Sequence, residues 1–267
     1  MTDGFEFFGE KRLFHGSVPR IMGTRLDFIL FGEEKDIAVK LWEESCVEAE
    51  MLDGILNRFD PVSEVSRFNA SYDESPFRAS AVLLDILRVS MDYCSRTGGL
   101  FDVTRGKADC LSCSGDVIQK FDPEVDLDFG GIAKGYFMDH LQSRLMAAGV
   151  KCAFVNFGES AILAIGKHPF GDSWQVSVPN PFGWQSVMKA DLVDCAFSTS
   201  GNMPGSMGHI INPLTREPVM GRRLACVQGP RPLDAEVLST VLLIADEEQR
   251  KGLQESFRNV KMEIYDL

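Results

Sequence analysis

Apolar residues recur at helical spacing over about residues 35–57, where Ile37, Leu41, Cys46, Val47, Ala49, Leu52 and Leu56 are separated by charged positions. That period predicts an amphipathic helix, and Asp60-Pro61 ends it. Just before it, alternation in residues 25–31 (RLDFILF) predicts a strand, with Gly32-Glu33 as the turn between them. A second helix is expected over residues 80–96, closed by Gly98-Gly99, and a third over residues 135–148 with Gly149 as its C-cap. The polar run SEVSRFNASYDESP and residues 106–125 lack apolar periodicity and are expected to be loops. From residue 151 onward the pattern changes. Residues 152–157, 173–178 and 192–198 have the β-branched and aromatic content of strands, and Asn180-Pro181-Phe182-Gly183 has the composition of a turn. A strand over 223–228, a helix over 234–245 and a final strand over 260–265 complete the expectation. Long helices with a meander of strands, no regular βαβ alternation and no internal repeat indicate an α+β fold.

Composition narrows the partners. A chain of 267 residues, 45% hydrophobic, is long enough for one large domain or two closely joined lobes, and we read residues 1–267 as a single domain. Thirty-nine acidic against 27 basic residues give a formal charge of −12, and no basic run exceeds the pairs Lys11-Arg12 and Arg222-Arg223. This argues against nucleic acid and anionic lipid as partners. The opening MTDGFEFFGEKRLFHG has early acids and no apolar core, unlike a secretory signal, and no stretch is long enough to span a membrane. The chain as it stands reads as cytoplasmic, or as periplasmic or a lipoprotein if a leader has been removed. Seven cysteines, odd in number and partly inside predicted elements, read as reduced thiols. Cys110 and Cys113 form a lone Cys-x-x-Cys without the second pair that a zinc site needs.

Three segments carry candidate chemistry. In LDFGGIAKGY (residues 127–136) an acidic, glycine-rich turn opens into a helix, where close backbone approach and the helix N-terminus favour phosphate and Lys134 adds positive charge. The same residues also fit a plain strand-to-helix turn. In FSTSG (197–201) and GHIINP (208–213) small hydroxylated residues precede His209, either a proton acceptor, a phosphate partner or a structural histidine. In DAEVLST (234–240) Glu236 and Thr240 lie four apart on one helix face and offer the hard oxygens that magnesium prefers; a capping acid with a buried threonine is the plainer alternative.

Taken in order, RIMGTRLDFIL, FDPVSEVSRFN, GGLFDVTRG, LDFGGIAKGYFMD, VNFGESAILAIG, FSTSG, GHIINPLTREPV and DAEVLSTVLLIAD resemble the motif set of the FAD:protein FMN transferase (ApbE) family, also called thiamine biosynthesis lipoprotein-like, over about residues 21–246. The resemblance implies an ApbE-like, T-fold-related architecture of antiparallel strands and long helices. It implies FAD contacts at Met22, Phe59, Leu100, Phe101, Asp102, Asp128 and Lys134. It implies Mg²⁺ held by the carbonyl of Gly131 and by Glu236, Ser239 and Thr240, with His209 near the site. The implied activity is Mg²⁺-dependent movement of FMN from FAD to a threonine of an acceptor flavoprotein with a Thr target motif, releasing AMP.

The chain departs from that motif set in four places. Glu236 stands where Asp is usual, Asn212 replaces the Asp of His-x-x-Asp-Pro, Arg216 replaces the following Gly, and the stretch between Gly106 and Asp126 is short. An FAD-binding protein without turnover and an FAD diphosphatase releasing FMN and AMP are the alternatives to transfer. Trp42, Trp174 and Trp184 show no flavin-specific spacing.

Overall fold

The computed structural model describes residues 4–71, 75–205 and 207–267. The chain opens with β1 (Phe5–Phe8), β2 (Leu13–Ile21) and β3 (Thr24–Phe31), followed by the long helix α1 (Lys35–Leu56) and the short helix α2 (Glu64–Asn69). Next come β4 (Phe77–Arg78), α3 (Ala81–Arg96), β5 (Leu111–Ser114), β6 (Val117–Lys120) and α4 (Ala133–Ala147). The second half holds β7 (Ala153–Phe157), β8 (Ala161–Ile165), β9 (Trp174–Pro179), β10 (Ser186–Leu192), β11 (Cys195–Gly201) and β12 (Arg223–Gly229). Helices α5 (Pro232–Ile244) and α6 (Glu247–Ser256) and strand β13 (Lys261–Asp266) close the chain.

Eight strands form one antiparallel sheet in the order β1-β2-β3-β7-β8-β11-β12-β13, while β9 pairs with β10 and β4, β6 and β5 form a small third sheet. The architecture is the expected mixture of helices and antiparallel strands. Side chains alternate across the main sheet. Leu163, Ala196, Ala225 and Val227 join the large core with the helices, whereas Ile162, Ala164, Phe197, Leu224 and Cys226 pack under the β9–β10 hairpin with Trp174, Val178 and Leu192. Strand β8 is thus buried along its whole length, which accounts for its unbroken apolar run AILAI.

Two predicted loops contain structure. Within the polar run after Pro61, α2 forms because Ser63 caps it, its hydroxyl accepting from the Ser66 N–H at 3.0 Å. Residues 72–74 of that run lie outside the described residues. Residues 106–125 hold the β5–β6 hairpin, whose short strands cover α2 through the buried Lys120; its ammonium donates to the carbonyls of Phe68 and Asn69 at 3.3 and 3.1 Å. Strand β2, interrupted by Gly16 and Pro19, and strands β1, β8 and β10 and helix α6 are further additions to the predicted elements. All seven cysteines are free thiols, and burial raises the pKa of Cys46 to about 11 and that of Cys226 to about 12. Among the described residues no helix is long and apolar enough to cross a membrane.

Candidate active site

A cavity of about 900 Å³ opens where the N-terminal turn of α4, the end of β11, one face of α5 and the β9–β10 hairpin converge. Its lining combines two kinds of surface. Phe154, Ile162, Val176, Val178, Phe197 and Leu224 make one part apolar, whereas Asp128, Lys134, Ser200, Glu236 and Thr240 make another polar. A deep pocket with apolar walls and a few convergent polar groups is the usual form of a site for a large, partly aromatic ligand.

The polar end is built on the junction of α4 and α5. Gly135 permits it, since a Cβ there would lie 2.6 Å from the Glu236 Cβ. The close approach brings Lys134 of α4 against Glu236 of α5, and their side chains form an ion pair. Glu236 is only 5% exposed; its other carboxylate oxygen accepts from the Ser198 hydroxyl at 2.8 Å. Strand period then explains the row of hydroxyls. Ser198 and Ser200, two apart on β11, share the face turned to α5, so that Ser200 lies 2.7 Å from Ser239 and 3.3 Å from Thr240, oxygen to oxygen. Gly131 fronts this row, with Thr240 Oγ1 3.6 Å from the place its Cβ would occupy.

Asp128 is held by a different set of contacts. The Asn69 side chain pairs with the backbone of Leu127 through two hydrogen bonds of 2.8 and 2.9 Å, and Arg58 donates to Asp128 at 2.6 Å while also bonding Asp126. The second Asp128 oxygen accepts from the Gly130 N–H at 3.0 Å, fixing the glycine turn ahead of α4. Burial alone would lower the Arg58 pKa, but the two carboxylates outweigh it and raise the value. Asp102 works similarly on its own loop. Its carboxylate accepts from Thr104 N–H, Thr104 Oγ1 and Gly106 N–H at 2.8, 2.7 and 2.9 Å.

Of the residues singled out in the sequence, Leu100, Phe101, Asp102, Asp128, Gly131, Lys134, His209, Glu236 and Thr240 all line this one cavity. Three do not. Phe59 is 87% exposed under the Arg58 guanidinium, Met22 sits in the β2–β3 turn packed partly against the core, and Ser239 is wholly buried behind Ser198 and Ser200. Ser200 faces the cavity in place of Ser239. Arg58 and Asn69 are not among the sequence candidates, because their contacts span about 60 to 70 positions, whereas Ser200 lies in the candidate segment FSTSG, whose two-residue spacing puts it on one face with Ser198. The Asn212 replacement preserves local structure, since its Oδ1 accepts from the Leu214 N–H at 2.9 Å and that role needs an oxygen, not a charge.

The ApbE family model matches residues 22–113 and 107–264. The chain belongs to the ApbE family. Among curated relatives, the FAD:protein FMN transferase of Klebsiella pneumoniae is 24% identical, spanning 86% of this chain and 78% of its own length, and that of Escherichia coli K12 is 23% identical over 87% and 78%. Among solved structures, the flavin transferase ApbE of Vibrio cholerae superposes with a TM-score of 0.79 at 23% identity, covering 95% of this chain and 93% of its own. The ApbE protein of Thermotoga maritima gives 0.80 at 19% identity, with 94% of each covered. The fold described above is therefore the ApbE fold.

The donor set at the polar end suits a hard divalent cation. Among the described residues no group of three or more His, Cys, Asp or Glu side chains gathers to hold a metal. Mg²⁺ does not require one, because it retains water and takes one or two carboxylates together with substrate phosphate. Glu236, Thr240, Ser200 and the Gly131 carbonyl are oxygen donors of that type, and the glycine leaves room in front of Thr240.

Proposed function

We propose that this protein is a Mg²⁺-dependent transferase that moves FMN from FAD to a hydroxyl of an acceptor flavoprotein, with threonine as the target and AMP as the second product. The observation that carries the reading is the junction of Lys134, Glu236, Thr240 and Ser200 in a cavity that also has an apolar wall of Phe154, Ile162, Val176, Val178, Phe197 and Leu224. FAD has the matching asymmetry, with ring systems for the apolar walls and a diphosphate for the polar end. Family membership and the similarity to FAD:protein FMN transferases support the same assignment.

In the reaction the acceptor oxygen attacks the phosphorus on the FMN side of the diphosphate, forming a new P–O bond as the bond to AMP breaks. The leaving AMP takes the bridging oxygen, and the hydroxyl proton passes to a base. His209, on the cavity wall, is our candidate for that base. Lys134 supplies positive charge beside the diphosphate, and the turn fixed by Asp128 presents backbone to it at the start of α4. Mg²⁺ held by Glu236, Thr240, Ser200 and the Gly131 carbonyl would neutralise charge developing on the phosphate oxygens.

The test is mass spectrometry of a flavoprotein domain carrying the family's threonine target motif after incubation with the protein, FAD and Mg²⁺. An FMN adduct on that threonine, absent when the metal is chelated, is the expected result. AMP and free FMN without adduct would make the protein a diphosphatase, and FAD binding with neither product would make it a flavin-binding protein.

A further inference from the structure

Three methionines stand in the open on the loop that brings Met203 and His209 into the cavity lining. Met203, Met207 and Met220 are 49%, 41% and 60% exposed; Met51, Met91 and Met146 are exposed to a similar degree but lie singly on three helices, whereas these three share one loop. One amide organises them. Asn202 is 4% exposed; its Nδ2 donates to the carbonyls of Val219 and Gly221 at 2.8 and 2.9 Å, and its Oδ1 accepts from the Gly208 N–H at 3.1 Å. These bonds fasten the chain on both sides of Met220 and directly after Met207, while Met203 follows Asn202 itself. Met220 lies across Gly208, its sulfur 3.0 Å from the position a Cβ there would take. The thioethers are therefore displayed by a tied loop, and Met203 and His209 of that loop also line the cavity.

The surroundings restrict what covers this platform. Residues 202–223 carry Arg216, Arg222 and Arg223 against Glu217, a net charge of +2 (three minus one) in a chain whose total is −12. We propose that the methionine platform docks the acceptor polypeptide, receiving an apolar segment without net positive charge so that its hydroxyl residue enters the cavity beside His209. This rests on the transfer reading above. The surface is continuous with the place where that hydroxyl must arrive, and unbranched thioethers conform to apolar side chains of different shapes. Such a platform accommodates more than one acceptor sequence.

The test uses the full chain, FAD, Mg²⁺ and the flavoprotein domain bearing the threonine motif, with Met207→Ser and Met220→Ser combined in one variant. Removing two apolar contacts should raise the acceptor KM roughly tenfold, leaving kcat, FAD affinity and the thermal midpoint as in the wild type. Replacing apolar residues next to the acceptor threonine with lysine should likewise raise KM on the wild-type enzyme. Transfer by the wild type and the double variant with equal acceptor KM overturns the docking surface alone. The same outcome accompanied by dissociation of a dimer reassigns the surface to a second copy and also overturns it. No adduct with the wild type overturns the transfer reading and the platform together.

Discussion

Lys134 and Glu236 are 102 residues apart in sequence, yet their side chains meet in an ion pair between α4 and α5. Glu236 sits in the wall of α5, Lys134 in the first turn of α4, and the bare Cα of Gly135 lets the two helices come close enough. Both charged groups are largely withdrawn from water, so each is costly without the other. The pair lines the cavity, and the same contact that joins the helices thereby sets the polar end of the site.

Gly135→Ala tests this coupling. A methyl placed 2.6 Å from the Glu236 Cβ and 3.2 Å from the Leu233 Cα must push α5 away from α4. Alanine's better helix propensity returns about 1 kcal/mol, whereas overpacking of this kind costs about 1–3 kcal/mol. The expected outcome is a lower thermal midpoint with transfer reduced more than FAD affinity. A variant as stable and active as the wild type would show that the helices separate freely here.

Much of this site was legible because its chemistry sits in short contiguous blocks. LDFGGIAKGY sets a glycine turn directly ahead of a helix, and in DAEVLST helical period alone relates Glu236 to Thr240. The four long helices were legible for the same reason. What escaped was non-local or locally contradictory: β2 contains both Gly16 and Pro19, β8 is buried on both faces and shows no alternation, and α2 is six residues long and rests on one serine cap. Arg58 and Asn69 gained their roles only through contacts with residues about 60 to 70 positions away. Phe59 and Met22 lie in recognisable blocks but outside the lining, because membership in a block fixes the backbone segment and not where a side chain points.

A second cluster predicts a pH dependence of stability. His140 Nδ1 lies 2.7 Å from Glu48, which also pairs with Arg144, and the imidazole packs on Tyr136 with ring centroids 4.3 Å apart. The hydrogen bond to Glu48 raises the His140 pKa above 6.5 despite burial. For Glu48, burial acts upward, but the hydrogen bonds from His140 and Arg144 together hold it below 4.5. The histidine's contribution is complete below its unfolded value and fades as pH rises through its folded one; the carboxylate's is complete above its unfolded value and fades as pH falls. His140→Gln should therefore lower the thermal midpoint more at about pH 6 than at about pH 8.5. Parallel melting curves of the two proteins check this, and an equal difference at both pH values would remove the charged histidine from the account.

Arg216 occupies the left-handed region at φ 59°, a conformation that favours glycine, and its guanidinium donates to the Gly106 carbonyl at 2.9 Å. Arg216→Gly relieves roughly 1–2 kcal/mol of backbone strain. It loses about 1 kcal/mol of hydrogen bonding and about 0.4–1 kcal/mol through the freer unfolded chain. These nearly cancel, so the midpoint should move by no more than roughly 2–4 °C in either direction. Differential scanning calorimetry measures it, and a larger fall would mean that the bridge between the two loops matters more than its single hydrogen bond.

Glu236 permits a sharper test, since its charge and its length can be changed separately. Gln keeps the reach to Ser198 and Lys134 but removes the negative charge, and Asp keeps the charge but is one methylene shorter. If the carboxylate serves chiefly to hold Mg²⁺ against the diphosphate, charge is the property that counts. Glu236→Gln should then cut transfer by about 100-fold or more with FAD affinity little changed, and should abolish the rise in thermal midpoint expected when Mg²⁺ is added to the wild type. Glu236→Asp should retain transfer within about tenfold at a higher Mg²⁺ requirement, in the range that altered metal-site geometry usually produces. Its cost falls elsewhere, because the shorter side chain withdraws from Lys134 and leaves that ammonium with a weaker partner in a largely buried position. The Asp variant should therefore melt below the wild type in the absence of metal and recover part of the difference when Mg²⁺ is added. The reverse order of activity, with Gln near wild type and Asp inactive, would show that side-chain length and not charge is what counts at this position, and would take Glu236 out of the metal site.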